Sequence, residues 1–122
     1  MIKLTLDELI AHAESRPDHV FPLGSCSECL ACEVIKARHV GEYGRPEVDY
    51  TRALWLGRDR IPYEQPEAFV DFVSSVSYNT PLGARNSYNN PFTGKEVAAA
   101  LRSIQGGTAP ADAARHMVEE KY

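Results

Sequence analysis

The chain has no long hydrophobic run, no cluster of basic residues and no glycine-rich phosphate loop, and each absence removes a class of function. A membrane-spanning helix needs about 20 consecutive apolar residues, and nothing here approaches that. A nucleic-acid binder neutralises several phosphates with grouped Lys and Arg. Here the charge is spread: 8 Lys/Arg against 10 Asp/Glu in residues 1–61, and 5 against 7 in residues 62–122. The formal net charge of −4 is therefore shared equally, and nucleic acid is not the expected partner. Gly106-Gly107 follows a helical pattern and reads as a helix stop rather than a phosphate cradle. Asp7 and Glu8 fall where a signal peptide would need an unbroken apolar region, so a cytoplasmic location with reduced thiols is expected. With only three cysteines, complete intrachain pairing is impossible.

What is present is an ordinary globular composition. Of the 122 residues, 43% are hydrophobic and 25% charged, enough for one domain with its own core. Thr5 and Glu8 form a capping box, in which each side chain satisfies a free amide of the other's backbone. Leu6, Leu9, Ile10 and Ala13 follow at helical spacing, predicting a helix over residues 6–15 that ends at Pro17. Residues 18–24 are apolar but broken by proline, and read as a packed connector. Ser25 and Glu28 repeat the capping box and open a helix running to about Val40. Its apolar stripe is Leu30, Val34 and Ala37, flanked by Ala31 and Ile35, with Cys29, Cys32, Lys36 and His39 on the other side.

Residues 46–56 carry mixed signals. Val48, Tyr50 and Thr51 favour a strand, Pro46 and Gly57 favour a helix, and the balance leans to helix. Phe69, Val70, Phe72, Val73 and Val76 predict an apolar helix over residues 66–77. Two prolines, a glycine and four asparagines make residues 78–92 a long loop. Thr93 and Glu96 form a third capping box, and Val97, Ala100, Leu101 and Ile104 carry a helix to Gly106-Gly107. Thr108 and Pro110 begin a last helix with Ala113, Ala114, Met117 and Val118 inside. The expected fold is mainly α: a single-domain bundle of five or six short helices over residues 1–122.

All three cysteines fall in Ser25-Cys26-Ser27-Glu28-Cys29-Leu30-Ala31-Cys32, and their spacing invites a zinc or iron–sulfur reading with His39 or His19 as fourth ligand. Geometry opposes it. On a helix begun at Ser25, Cys26 and Cys32 are separated by about 9 Å at ~1.5 Å per residue. Zinc–sulfur bonds of ~2.3 Å do not bridge that span. Cys29, Cys32 and His39 share a flank and could join ligands from elsewhere, but ordinary packed thiols are the better reading. Cys26-Ser27-Glu28-Cys29 also has the spacing of a thiol–disulfide motif, without the βαβ frame such a site needs.

Residues 94–120 have the spacing of a helix-turn-helix, in which Arg102 and Arg115 would be the arginines that contact DNA. Its second helix begins Ala109-Pro110-Ala111-Asp112, small and acidic where base-reading side chains should stand. An antiparallel helical hairpin is favoured. His12 and His116 read as surface or hydrogen-bonded helix residues. Arg85, Asn86, Tyr88, Asn89 and Asn90 in the long loop have the composition of a recognition surface, though a solvated loop held by asparagine turns is the simpler account.

The block from Gly24 to Cys32 resembles a recurring pattern in small uncharacterised actinobacterial and phage proteins. There, a cysteine, four small or polar residues and a second cysteine lead into Leu/Ile-Ala-Gly-Trp on a helix. Cys29-Leu30-Ala31 matches the second half, Gly24 stands where the first cysteine would be, and Cys32-Glu33 replaces Gly-Trp. The similarity continues through Arg52–Gly57 and Val97–Leu101. It implies a helical fold, supports a helix over residues 46–56, and implies a small accessory protein with no assigned activity.

No complete catalytic constellation is present, so no catalytic residue, metal ligand or cofactor is assigned, and the expectation leans away from an enzyme. The expected function is that of a small non-enzymatic accessory or regulatory protein, of phage origin on the resemblance above, acting by binding another protein. The alternatives are a metal- or thiol-dependent protein using Cys26, Cys29 and Cys32, and a DNA-binding regulator using residues 94–120.

Overall fold

A computed structural model describes residues 2–21, 30–38, 63–80 and 92–122. Among these residues the protein is mainly helical, as the periodicity predicts. The elements in order are β1 (Ile2–Lys3), α1 (Leu6–Ser15), α2 (Leu30–Arg38), β2 (Tyr63–Glu64), α3 (Glu67–Asn79), α4 (Gly94–Gln105) and α5 (Pro110–Lys121). The Ser25/Glu28 cap, Cys26, Cys29, His39, residues 46–56 and residues 81–91 of the long loop lie outside the described residues, as does the Cys32 side chain.

The Thr5/Glu8 and Thr93/Glu96 capping boxes form as read. At α1 the Glu8 amide donates to Thr5 Oγ1 at 3.2 Å and the Thr5 amide donates to Glu8 Oε1 at 3.1 Å. At α4 Thr93 and Glu96 make the same reciprocal pair. Pro17 ends α1 because the residue before a proline is pushed out of the helical region. Arg16 accordingly sits at φ −131°, ψ 65°. The same effect stops α3. Thr80, ahead of Pro81, adopts φ −70°, ψ 132°. Nothing before Pro81 breaks the helix, so Tyr78 and Asn79, read as loop, are its last turn.

The helices pack in the spatial order α2, α1, α4, α5, α3. Polar contacts at their ends set their directions. Asp7 at the start of α1 accepts from Gln105 at the end of α4. The carbonyls of Ala13 and Arg16 lie against Gly94 at the start of α4, so α1 and α4 run antiparallel. Lys121 Nζ, at the end of α5, is 3.0 Å from Glu96 Oε1 in the first turn of α4. Twelve residues make a helix of ~18 Å, and a helix-turn-helix crossing at ~90–120° would carry those ends far apart. The pair α4–α5 is therefore an antiparallel hairpin.

The core gathers Leu9, Ile10, Phe21, Leu30, Ile35, Phe69, Phe72, Phe92, Val97, Leu101 and Met117 from all five helices and their flanks. Two positions read as apolar face depart from it. Val70 is 45% exposed, and on α2 the buried face is Leu30, Ala31, Val34 and Ile35 while Ala37 is exposed. The rest of each predicted face on these two helices is buried or packed against the core.

The connector after α1 is packed, as expected, and the reason is hydrogen bonding. The first amides of α4 have no partner within their own helix. Gly94 N–H donates to the His19 carbonyl at 2.8 Å and Lys95 N–H to the Pro17 carbonyl at 3.0 Å. Phe21 N–H donates to the Phe92 carbonyl at 3.1 Å beside an antiparallel bridge between Val20 and Thr93. At the other end of the molecule β1 and β2 make a two-residue parallel pair, extended by Leu4 N–H to the Glu64 carbonyl. Sequence reading contains no hint of either pairing.

Candidate functional site

Two features stand out once the helices are assembled. The first is a groove of about 650 Å³ between α4 and α5. Its floor is made of short side chains, Ala99, Ala100, Ser103 and Ala113, with Met117 beside them. Antiparallel helices with small residues at their contact leave a shallow trench, because no long side chain reaches across to fill it. Lys95, Glu96, His116 and Glu120 edge it. His116 Nε2 lies 3.0 Å from Glu120 Oε1, one turn along the exposed face of α5.

Glu96 joins the cap, the groove edge and the α4–α5 contact. Burial pushes its carboxyl up, but the Thr93 backbone N–H, the Lys121 ammonium and the Thr93 hydroxyl outweigh that and hold it below the ordinary carboxylate value. A carboxylate whose pKa is depressed on folding stabilises the fold above its unfolded value and loses that contribution as pH falls through the folded one. Glu96→Gln should therefore lower the urea midpoint at neutral pH, by an amount of the order of the ~0.2–1 kcal/mol of a partly exposed ion pair. The gap from wild type should close towards pH 3. Equal gaps at both pH values would show that the charge is idle.

The second feature is an ionic junction where α1, the connector and α2 meet. Glu33 of α2 receives the Arg16 guanidinium on Oε1. His12 Nε2 is 3.9 Å from Oε1 and His19 Nε2 is 3.6 Å from Oε2. Arg16 also places an N–H 3.1 Å from His19 Nδ1. The Phe21 ring closes the apolar side, edge-on to His19 with centroids 4.7 Å apart and to His12 at 6.1 Å. The His12 side chain is only 12% exposed, so of the two readings, surface or hydrogen-bonded helix residue, it is not the first. Sequence reading missed this junction, although His12, Arg16 and His19 recur at spacings of four and three. That spacing puts three basic groups on one side of α1 and just beyond it.

Comparison with protein-family models, with curated proteins and with solved structures finds no match to this chain. What can be said of its chemistry rests on these two features.

Other sequence candidates fall in separate places. Arg102 is engaged by Glu14, through Nε at 2.9 Å and a terminal nitrogen at 2.6 Å, and that hydrogen bond holds the Glu14 carboxyl below its ordinary value. Arg115 is 3.1 Å from Asp112 and 4.0 Å from Glu119. The two arginines that a DNA-binding hairpin would use are thus both paired with carboxylates. Among the described residues no group of three His, Cys, Asp or Glu side chains is placed to hold a metal ion. Among the same residues no helix is long and apolar enough to cross a membrane.

Proposed function

We propose that this protein is a small non-enzymatic accessory or regulatory protein that binds another protein through the α4–α5 groove. The observation that carries the reading is the groove itself: a trench of about 650 Å³ with an alanine and serine floor and a charged edge. Protein interfaces place a desolvated centre inside a polar rim, and this face has that arrangement. A floor without long side chains lets a partner's backbone or apolar side chain approach closely. The resemblance of Cys29-Leu30-Ala31 to small uncharacterised actinobacterial and phage proteins supports an accessory role and a phage origin.

Ala99 is exposed on the groove floor, so a long side chain there fills the trench without disturbing the core. Partners retained by the wild-type chain from lysate of its host should be lost with Ala99→Arg. For the reconstituted pair, calorimetry should show a loss of at least about tenfold in affinity, or ~1.4 kcal/mol. A partner bound equally by both proteins would place the interface elsewhere. Salt-dependent binding to duplex DNA that weakens on replacing Arg102 and Arg115 would overturn the reading in favour of a DNA-binding regulator.

A further inference from the structure

The two oxygens of the Glu33 carboxylate are served unequally. Oε1 receives the Arg16 guanidinium, while Oε2 is buried and accepts no hydrogen bond among the described residues. His19 Nε2 stands 3.6 Å from Oε2, beyond the ~2.7–3.2 Å of an N–H···O bond. We propose that His19 is a proton-operated switch: neutral, it holds Arg16; protonated, it releases Arg16 and bonds to Glu33.

Donor and acceptor chemistry fixes the neutral state. A terminal nitrogen of Arg16 lies 3.1 Å from His19 Nδ1. Arginine only donates, so Nδ1 accepts and the single ring proton sits on Nε2. Histidine is the side chain whose charge changes between pH 5 and 8. The proton it gains comes from solvent and goes to Nδ1, onto the lone pair that Arg16 was using. Two N–H groups and two positive charges then face each other, and the contact is lost. Across the ring, Nε2–H now belongs to a cation and faces a carboxylate oxygen that lacks a donor. Closing 3.6 Å to the ~2.8 Å of a charge-assisted bond takes a movement of ~0.8 Å. The His19 and Arg16 side chains are 38% and 44% exposed, so both can move without unpacking the core.

The exchange has a route to α4. The His19 carbonyl accepts the Gly94 N–H and the Pro17 carbonyl accepts the Lys95 N–H. The first turn of α4 is therefore held by the connector that carries the switch. Among the described residues the ionisable groups of the junction are His12 and Arg16 of α1 and Glu33 of α2, with exposed Asp18 beside His19 in the chain. Lys95 of α4 lines the groove. His12 Nε2 is 3.9 Å from Oε1, the oxygen that Arg16 already holds, and so is not the switch.

The test is nuclear magnetic resonance of the isotope-labelled full chain between pH 8 and pH 5. In the wild type the Arg16 side-chain signal and the Gly94 amide should move together with the His19 ring. His19→Gln offers an acceptor to Arg16 and a donor to Glu33 but takes up no proton, and both signals should then stay in place. In His12→Gln they should move as in the wild type. At pH 5 the His19 Nε2–H should exchange with solvent at least ten times more slowly in the wild type than in Glu33→Gln. Circular dichroism reports whether each variant folds, and Glu33→Ala takes the place of Glu33→Gln if the latter does not. Arg16 and Gly94 signals that move equally in His19→Gln, or that stay still in the wild type, would overturn the proposal.

Discussion

Gly94→Ala is expected to cost this protein several kcal/mol and to leave it largely unfolded at 37 °C, more than the ~1–3 kcal/mol usual for overpacking. Replacing a helical glycine by alanine normally stabilises by ~0.5–1 kcal/mol. Here the sign reverses. A Cβ built on Gly94 would lie 2.2 Å from the Arg16 carbonyl oxygen and 2.3 Å from that of Ala13. Both are backbone atoms, so no rotamer change relieves the clash, and α1 and α4 would have to separate. Separation would also break the Gly94 N–H bond to the His19 carbonyl. Gly106→Ala is the matched control: at φ −79° its Cβ meets nothing closer than 3.5 Å, and its midpoint should hardly move. Urea unfolding of the two variants reads the difference. A Gly94→Ala protein with wild-type stability would mean that α1 and α4 do not meet at this glycine.

Phe21→Ala should be the next most damaging, at ~3–5 kcal/mol for deletion of a buried aromatic ring. Phe21 is fully buried, although it lies on a connector rather than a helix. Its ring supports His12 and His19, and its backbone is tied to Phe92. Deletion leaves a cavity under the ionic junction and loosens the chain that supplies the first hydrogen bonds of α4. Val20→Ala, one residue away and 43% exposed, should stay within ~0.5 kcal/mol. Thermal or urea unfolding checks both. Similar losses for Phe21 and Val20 would argue that the connector is not part of the core.

Capping boxes were the most legible signal in this chain because they are closed within four residues. Thr5/Glu8 and Thr93/Glu96 each satisfy their own amides, and the start of α1 and α4 follows from that alone. Prolines were nearly as reliable. Pro17 acts on the residue before it and α1 ends there as predicted, whereas Pro81 does the same for α3, which runs two residues past its predicted end. Face assignments were weaker. Val70 and Val73 have similar hydrophobicity, yet only Val73 packs against the core, because the choice depends on where α5 lies.

The ionic junction and the groove were not legible. Glu33 is one of seventeen acidic residues and nothing nearby in sequence marks it. It acquires its role from Arg16 and from two histidines placed by α1 and by a proline-shaped connector. The groove likewise needs two helices to run antiparallel with their small residues facing. Alanines at positions 99, 100 and 113 read only as good helix formers until α5 is laid beside α4.

By itself the sequence determined where α1, α4 and α5 start and where α1 and α4 stop, that helices dominate the described residues, and which large side chains form most of the core. Those properties depend on hydrogen bonds and periodicities reaching no further than a few residues. Tertiary structure alone decided that Gly94 is a contact point, that the Phe21 backbone pairs with Phe92, and that His12, Arg16, His19 and Glu33 meet. Each of those depends on the meeting of segments distant in sequence, where helix direction and register set the distances that local propensity does not encode.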